Sequence, residues 1–265
     1  MKKSLLAILL TTTFVLAHAG NASSNPTASE SKRIAQVVSL YKKNRHDNDT
    51  IQKIAFNASS DPILLEALLK NGLNPNLMFT AHFVYPEYIK KTVPYIEDGP
   101  LNSSLLNLVI LGKQRGNIDL LLRYSADPNL PAPSGATPIQ TAFLSNDVNV
   151  IDFMKDKIDC KKTCQIGSDS IIPDILLSPK PIEYLKYFLE RGADARIKIS
   201  IKKQSLLVIA AVVKQYDAIP ILIAAGASAT DKDTDGKSAI DRARERGDIR
   251  ALRLLEETTN SPPTN

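Results

Sequence analysis

Residues 231–236, Asp-Lys-Asp-Thr-Asp-Gly, place carboxylates at alternate positions and follow them with a glycine. That is the opening of a calcium loop, in which oxygen ligands converge on a hard cation while the glycine makes a sharp turn. A calcium loop of this kind also needs a carboxylate at its twelfth position, and counting from Asp231 that position is Arg242. A guanidinium there repels the ion that the loop should wrap, so we read 231–236 as a turn braced by Asp233 or Asp235, with Gly236 at the bend. The other residues able to do chemistry are sparse. Beyond His18 there are two histidines, His46 and His82, and neither has a partner at motif spacing. No H-E-x-x-H, G-x-S-x-G, G-x-G-x-x-G or P-loop pattern occurs. We therefore expect no catalytic residues, no metal ligands, no cofactor and no enzyme activity.

Cys160 and Cys164, in Cys-Lys-Lys-Thr-Cys, are the two cysteines. They are one residue too far apart for a C-x-x-C redox motif, and no histidine or third cysteine is near enough to complete a metal site. Their chemistry depends on the compartment, and the N-terminus speaks to that. Residues 1–19 have Lys2 and Lys3, an apolar run from Leu5 to Leu16, and Ala17-His18-Ala19. This is the layout of a secretory signal peptide cleaved after Ala19. Export to an oxidising compartment predicts a Cys160–Cys164 disulfide.

The chain has 33 Lys and Arg against 28 Asp and Glu, and without Lys2 and Lys3 its formal charge is +3. So mild a charge points to neither nucleic acid nor a membrane surface, and after cleavage no stable membrane insertion is expected. Residues 20–32 and 258–265 lack bulky apolar side chains and read as a flexible leader and tail.

The elements that position any site come from a repeat. Ser104–Val109, Thr137–Ala142, Ile171–Leu176, Ser205–Ala210 and Ser238–Ala243 start 33, 34, 34 and 33 residues apart. Each opens a short helix, and an apolar second helix follows. Ser125–Asn129, Lys157–Lys161, Gly192–Arg196 and Gly226–Thr230 then close the unit. Glycine tolerates the left-handed backbone that such an ending needs. A helix pair of this size cannot bury both its faces alone, so copies must stack.

Thr-Pro-Ile-Gln-Thr-Ala (137–142), with Ser-Ala-Asp-Pro-Asn (125–129), Gly-Ala-Asp-Ala-Arg (192–196) and Gly-Leu-Asn-Pro-Asn (72–76), resembles the ankyrin repeat family. The resemblance implies an all-α solenoid of antiparallel helix pairs with hairpin-like fingers, about six repeats in all. It divides residues 33–257 into a capping helix at 33–45 and repeats at about 49–76, 77–129, 130–161, 162–196, 197–230 and 231–257. Gln140, Asp174, Val208 and Asp241 stand where the family has histidine. Leu106, Ile139, Leu207 and Ile240 are predicted core.

Two fingers are candidate contact surfaces. The finger at 77–102 is longer than its siblings and carries Phe79, His82, Phe83, Tyr85 and Tyr88, which would either present an aromatic surface to a partner or fold back over the repeats. The finger at 195–204 carries Arg196, Lys198, Lys202 and Lys203 and no acid. The function the resemblance implies is a monomeric, non-enzymatic module that binds a protein through its fingers and concave face, in the periplasm of a Gram-negative bacterium. Two narrower versions are an immunity or inhibitor protein against a secreted toxin and an exported effector that binds a host protein.

Overall fold

The structure, a computed structural model, describes residues 26–80, 82–83, 99–164, 171–199 and 202–260. The expected signal sequence, Tyr85, Tyr88 and the last five residues lie outside that set. The fold is all-α. Its helices are α1 Ala28–Lys43, α2 Asn48–Ala58, α3 Pro62–Lys70, α4 Leu105–Leu111, α5 Arg115–Arg123, α6 Pro138–Ser145, α7 Val148–Lys155, α8 Cys160–Thr163, α9 Ile172–Leu176, α10 Pro181–Glu190, α11 Leu206–Val212, α12 Ala218–Ala224, α13 Ala239–Glu245 and α14 Ile249–Asn260. The short strands β1 Met78–Phe79, β2 His82–Phe83, β3 Gly99–Pro100 and β4 Ser103–Ser104 build one finger, and β5 Lys198–Ile199 with β6 Gln204–Ser205 another.

The chain divides into two compact units between Thr141 and Ala142. In the first, α1 packs on α2 and α3, α2 on α4, α3 on α5, and α4 on α5. In the second, the first helices α9, α11 and α13 stack in succession, as do the second helices α10, α12 and α14. The periodic apolar positions explain both stacks. Leu64, Leu65 and Leu68 of α3, Ile118 and Leu121 of α5, and Leu185 and Phe188 of α10 are all buried. Leu106, Ile139 and Leu207 are core as the repeat register predicts, whereas Ile240 is only half-buried.

The helix starts follow from capping chemistry. Ser104 Oγ accepts from the Asn107 amide at 3.1 Å, and Asp61 Oδ1 from that of Leu64 at 3.0 Å. Ser238 and Asp241 form a reciprocal capping box. Gly192 and Gly226 close their helices at φ 96° and 97°, the left-handed region a side chain rarely adopts. Ser125 takes the same role at φ 68° without a glycine's freedom.

Four boundaries differ from the sequence reading. Helix α1 begins at Ala28, inside the expected leader, because Thr27 and Glu30 cap it reciprocally. Helix α14 runs to Asn260, into the expected tail. The segment at 160–164, which spans the expected boundary between the repeats at 130–161 and 162–196, starts with a helical turn, α8, capped by Asp159. The register around α9 also shifts. Ser178 Oγ donates to the carbonyl of Ile175 at 2.6 Å as Ser145 Oγ does to Ala142 at 2.7 Å. Ser178 therefore matches Ser145, which places the unit one residue earlier than the Ile171 alignment.

Candidate partner-binding surfaces

The long finger is an antiparallel ribbon. Met78 pairs with Ser104 and Phe79 with Ser103; further out, His82 pairs with Pro100 and Phe83 with Gly99. Its base belongs to the core. Phe79 is fully buried, with its ring edge-on to Phe56 at 6.4 Å between centroids, and the neighbouring Thr80 amide donates to Gln52 Oε1 at 2.9 Å. Phe79 is thus a packing residue and not part of a presented aromatic surface. The ladder to Ser103 and Ser104, which lead directly into α4, fixes it there. His82 and Phe83 are described in their backbone pairing alone.

The basic finger is largely neutralised by the finger that follows it. Lys198 Nζ lies 3.2 Å from Asp231 and donates to the Lys232 carbonyl at 3.0 Å; Lys202 Nζ lies 3.1 Å from Asp235. Arg196 Nε pairs with Asp194 at 2.9 Å while its side chain stays mostly exposed. Lys203 is exposed, at φ 50° on the finger tip. Of the four candidate cations, Lys198, Lys202 and Arg196 are thus ion-paired, and Lys203 is exposed at the tip. A charge unpaired within its own finger meets acids one repeat later, and exposed pairs of this kind contribute little net stability.

The aspartates of 231–236 hold the last finger closed. Asp233 Oδ1 accepts from the amides of Asp235 and Lys237, both at 2.9 Å, while Oδ2 takes Arg242 Nε at 2.9 Å and Nη2 at 2.7 Å. Burial pushes the Asp233 carboxyl up, but the Lys237 amide and the Arg242 guanidinium outweigh it and hold it below the ordinary carboxylate range. Arg242 occupies the place of the twelfth calcium ligand and supplies the cation itself. No cluster of three or more His, Cys, Asp or Glu suited to a metal occurs among the described residues.

Cys160 and Cys164 are joined, with Cα atoms 4.8 Å apart and both residues buried. The bridge spans one helical turn and closes a five-residue ring, worth about 2 kcal/mol on a chain-entropy estimate. Alkylation of the native protein without reductant should leave both cysteines unlabelled by mass, and Cys160→Ser should lower stability by that modest amount without unfolding the chain. Two labelled thiols would contradict the pairing.

On the second helices, Asp152 joins Lys155 at 2.8 Å to Lys180 at 3.1 Å, linking α7 to α10. Tyr187 donates to Asp156 and is covered by the Arg191 guanidinium 3.5 Å from its ring centroid. Burial first, then the bond to Asp156 and its charge, push the Tyr187 hydroxyl up to about 12. A raised folded value means stability that is complete below the free tyrosine value of about 10 and lost as pH climbs toward 12. The melting temperature should therefore fall over that window, and Tyr187→Phe should shallow the fall. Equal falls in both proteins would exclude the contribution.

One residue with a structural role was missed in the sequence. Asn107 is buried and its amide donates to the Ala136 carbonyl at 3.1 Å, tying α4 to the next finger. It falls at the histidine position of its own repeat, so the repeat register carried the signal.

No family model matches the chain. Solved structures do. The human ASB11 ankyrin repeat domain is 17% identical, with a TM-score of 0.54 over 78% of this chain and 84% of that one. The ankyrin repeat domain of Bcl-3, a member of the IkappaB family, is 13% identical, with a TM-score of 0.55 over 85% and 92%. EF0377, an ankyrin repeat protein, is 17% identical, with a TM-score of 0.54 over 77% and 96%. A putative palmitoyltransferase, ZDHHC13 of Danio rerio, is 24% identical over 159 residues, 56% of this chain. The chain spans 23% of the length of that relative. The fold is that of the ankyrin repeat.

Proposed function

We propose that this ankyrin-fold chain is a non-enzymatic module that binds a protein partner after export, in the periplasm. The observation that supports the reading is how the repeats divide their residues. Packing between repeats uses the inward positions, such as Leu207, Leu222 and Phe188. The finger tips and the outward side of the first helices are left free to differ from repeat to repeat without disturbing that core. No helix among the described residues is long and apolar enough to cross a membrane. Acyl transfer is no part of the reading, since the likeness to the palmitoyltransferase covers less than a quarter of that protein.

The test is to purify the tagged protein from the exported fraction and sequence its N-terminus. The reading expects Gly20 as the first residue and a protein co-purifying in fixed proportion. Intact Met1 in the cytoplasmic fraction would overturn the compartment, and a pure monomer under mild cross-linking would overturn the binding.

A further inference from the structure

The large apolar side chains that stand exposed among the described residues are Leu111, Leu144, Leu177, Val212 and Ile249. Scattered apolar residues on a surface need no explanation, but these are not scattered. Each lies at the turn from a repeat's first helix to its second. Leu111 holds that place in the first unit.

In the second unit Leu144, Leu177 and Val212 form a series at one repeat position. In the last repeat that position is Glu245, paired with Lys237 at 2.7 Å, and Ile249 follows it at the start of α14. Leu144 and Leu177 each precede a buried serine that bonds back to the carbonyl three residues before it. Val212 ends α11, and Ile249 begins α14. Asn146, Lys214 and Gly247 turn the chain through left-handed backbone at φ 51°, 60° and 66° just beyond the first helices. Exposure at the four positions is 67%, 67%, 46% and 79%. Because α9 packs on α11, Leu177 and Val212 lie side by side along one edge of the stack, and Leu144 holds the same place in the repeat before them.

Resting on the proposed protein-binding function, we infer that this row docks an acidic amphipathic α-helix of the partner. The pitch selects a helix. Packed helices lie about 8–10 Å apart, so one apolar side chain recurs at that interval. Seven residues of an α-helix advance about 10.5 Å and return to the same face. A strand returns to one face every second residue, at about 6.6 Å or 13 Å, and lies further from that interval than the helix does.

Charge selects the acidic flank. Lys214 and Arg246 stand exposed at these turns, with no ion pair among the described residues. The neighbouring acids are engaged. Asp147 caps α7, Asp248 accepts from the Ala251 amide at 3.0 Å, and Asp217 lies 3.6 Å from Arg250.

The probe is a 21-residue helical peptide with leucine at every seventh position and glutamates beside them, set against a twin with lysines in place of the glutamates. Binding to the full mature chain should favour the glutamate peptide by at least tenfold. The triple variant Leu144→Ser, Leu177→Ser, Val212→Ser should lose at least tenfold while melting as the parent does. Should that variant melt lower, Lys214→Glu with Arg246→Glu replaces it and should reverse the preference between the peptides. Equal binding of the twins, or unchanged affinity in a row variant of parental melting temperature, would overturn the inference. So would co-sedimentation with anionic phospholipid vesicles that neither peptide displaces. A co-purified partner that ignores the row would leave the protein-binding reading standing and remove this one. A peptide held by the row with no co-purified partner would do the reverse.

Discussion

Phe188→Ala should cost the second unit about 3–5 kcal/mol, the range for deleting a buried aromatic ring that its neighbours cannot collapse to replace. Phe188 is fully buried on α10, with edge contacts to Phe143 at 5.8 Å and Tyr187 at 5.1 Å between centroids. Its carbonyl also accepts the Ala193 amide at 3.0 Å, so the residue joins the core to the closing turn at Gly192. Each repeat contacts only its neighbours, so the damage should spread first to α12. Urea titration followed by tyrosine fluorescence would read the loss. The paired control is Leu177→Ala, exposed on the turn edge, which should shift stability by no more than about 0.5 kcal/mol. Equal losses in the two variants would mean that the repeat register is wrong.

Arg242→Ala should open the last finger. The Asp233 side chain is 2% exposed, and its pair with Arg242 is the cation contact that offsets this burial. Arg242 also reaches Asp235, so one guanidinium fastens the finger to α13 at two points. Without it the carboxylate is left with its amide partners alone, and a buried charge lacking its counter-ion is strongly destabilising. Amide exchange across 231–242 should rise well above the parent, and the melting temperature should drop. Arg242→Lys should recover only part of the loss, because an ammonium lacks the planar spread by which Nε and Nη2 converge on Asp233 Oδ2 while Nη2 also reaches Asp235. Arg253→Ala, which removes an exposed pair with Glu257, should leave melting unchanged. Calcium should neither stabilise the parent nor rescue Arg242→Ala. A calcium-dependent rise in melting temperature would restore the metal reading of 231–236.

Much of this fold was legible because its signals are local and recur. The closing turns at Gly192 and Gly226 and the capped starts at Ser104 and Ser238 each announce themselves within six residues, and their spacing supplies the stacking. The contact surfaces were harder because they depend on what lies one repeat away. The finger at 195–204 looks like a bare basic patch within its own sequence. Asp231 and Asp235 stand 33 residues beyond Lys198 and Lys202, and that interval is the repeat length that brings the fingers side by side. Phe79 was undecided for a similar reason. Composition left an aromatic-rich insertion open to presentation or to folding back, and the ladder to Ser103 decides it for the first ring, which packs on Phe56 of the repeat before. The exposed row at Leu144, Leu177 and Val212 was hidden among other apolar residues of the same helices, and one helical position separates a core leucine from a surface one.

The central claim is that the chain binds a protein along the row at the turns from first to second helix. It is tested most directly by photo-cross-linking inside the producing cell, with the reactive residue placed in turn at Leu177, at Val212 and at Lys186, which is exposed on α10 among the second helices. The account expects a defined protein adduct from Leu177 and Val212 and none from Lys186. Adducts from Lys186 alone, or from none of the three positions, would contradict it.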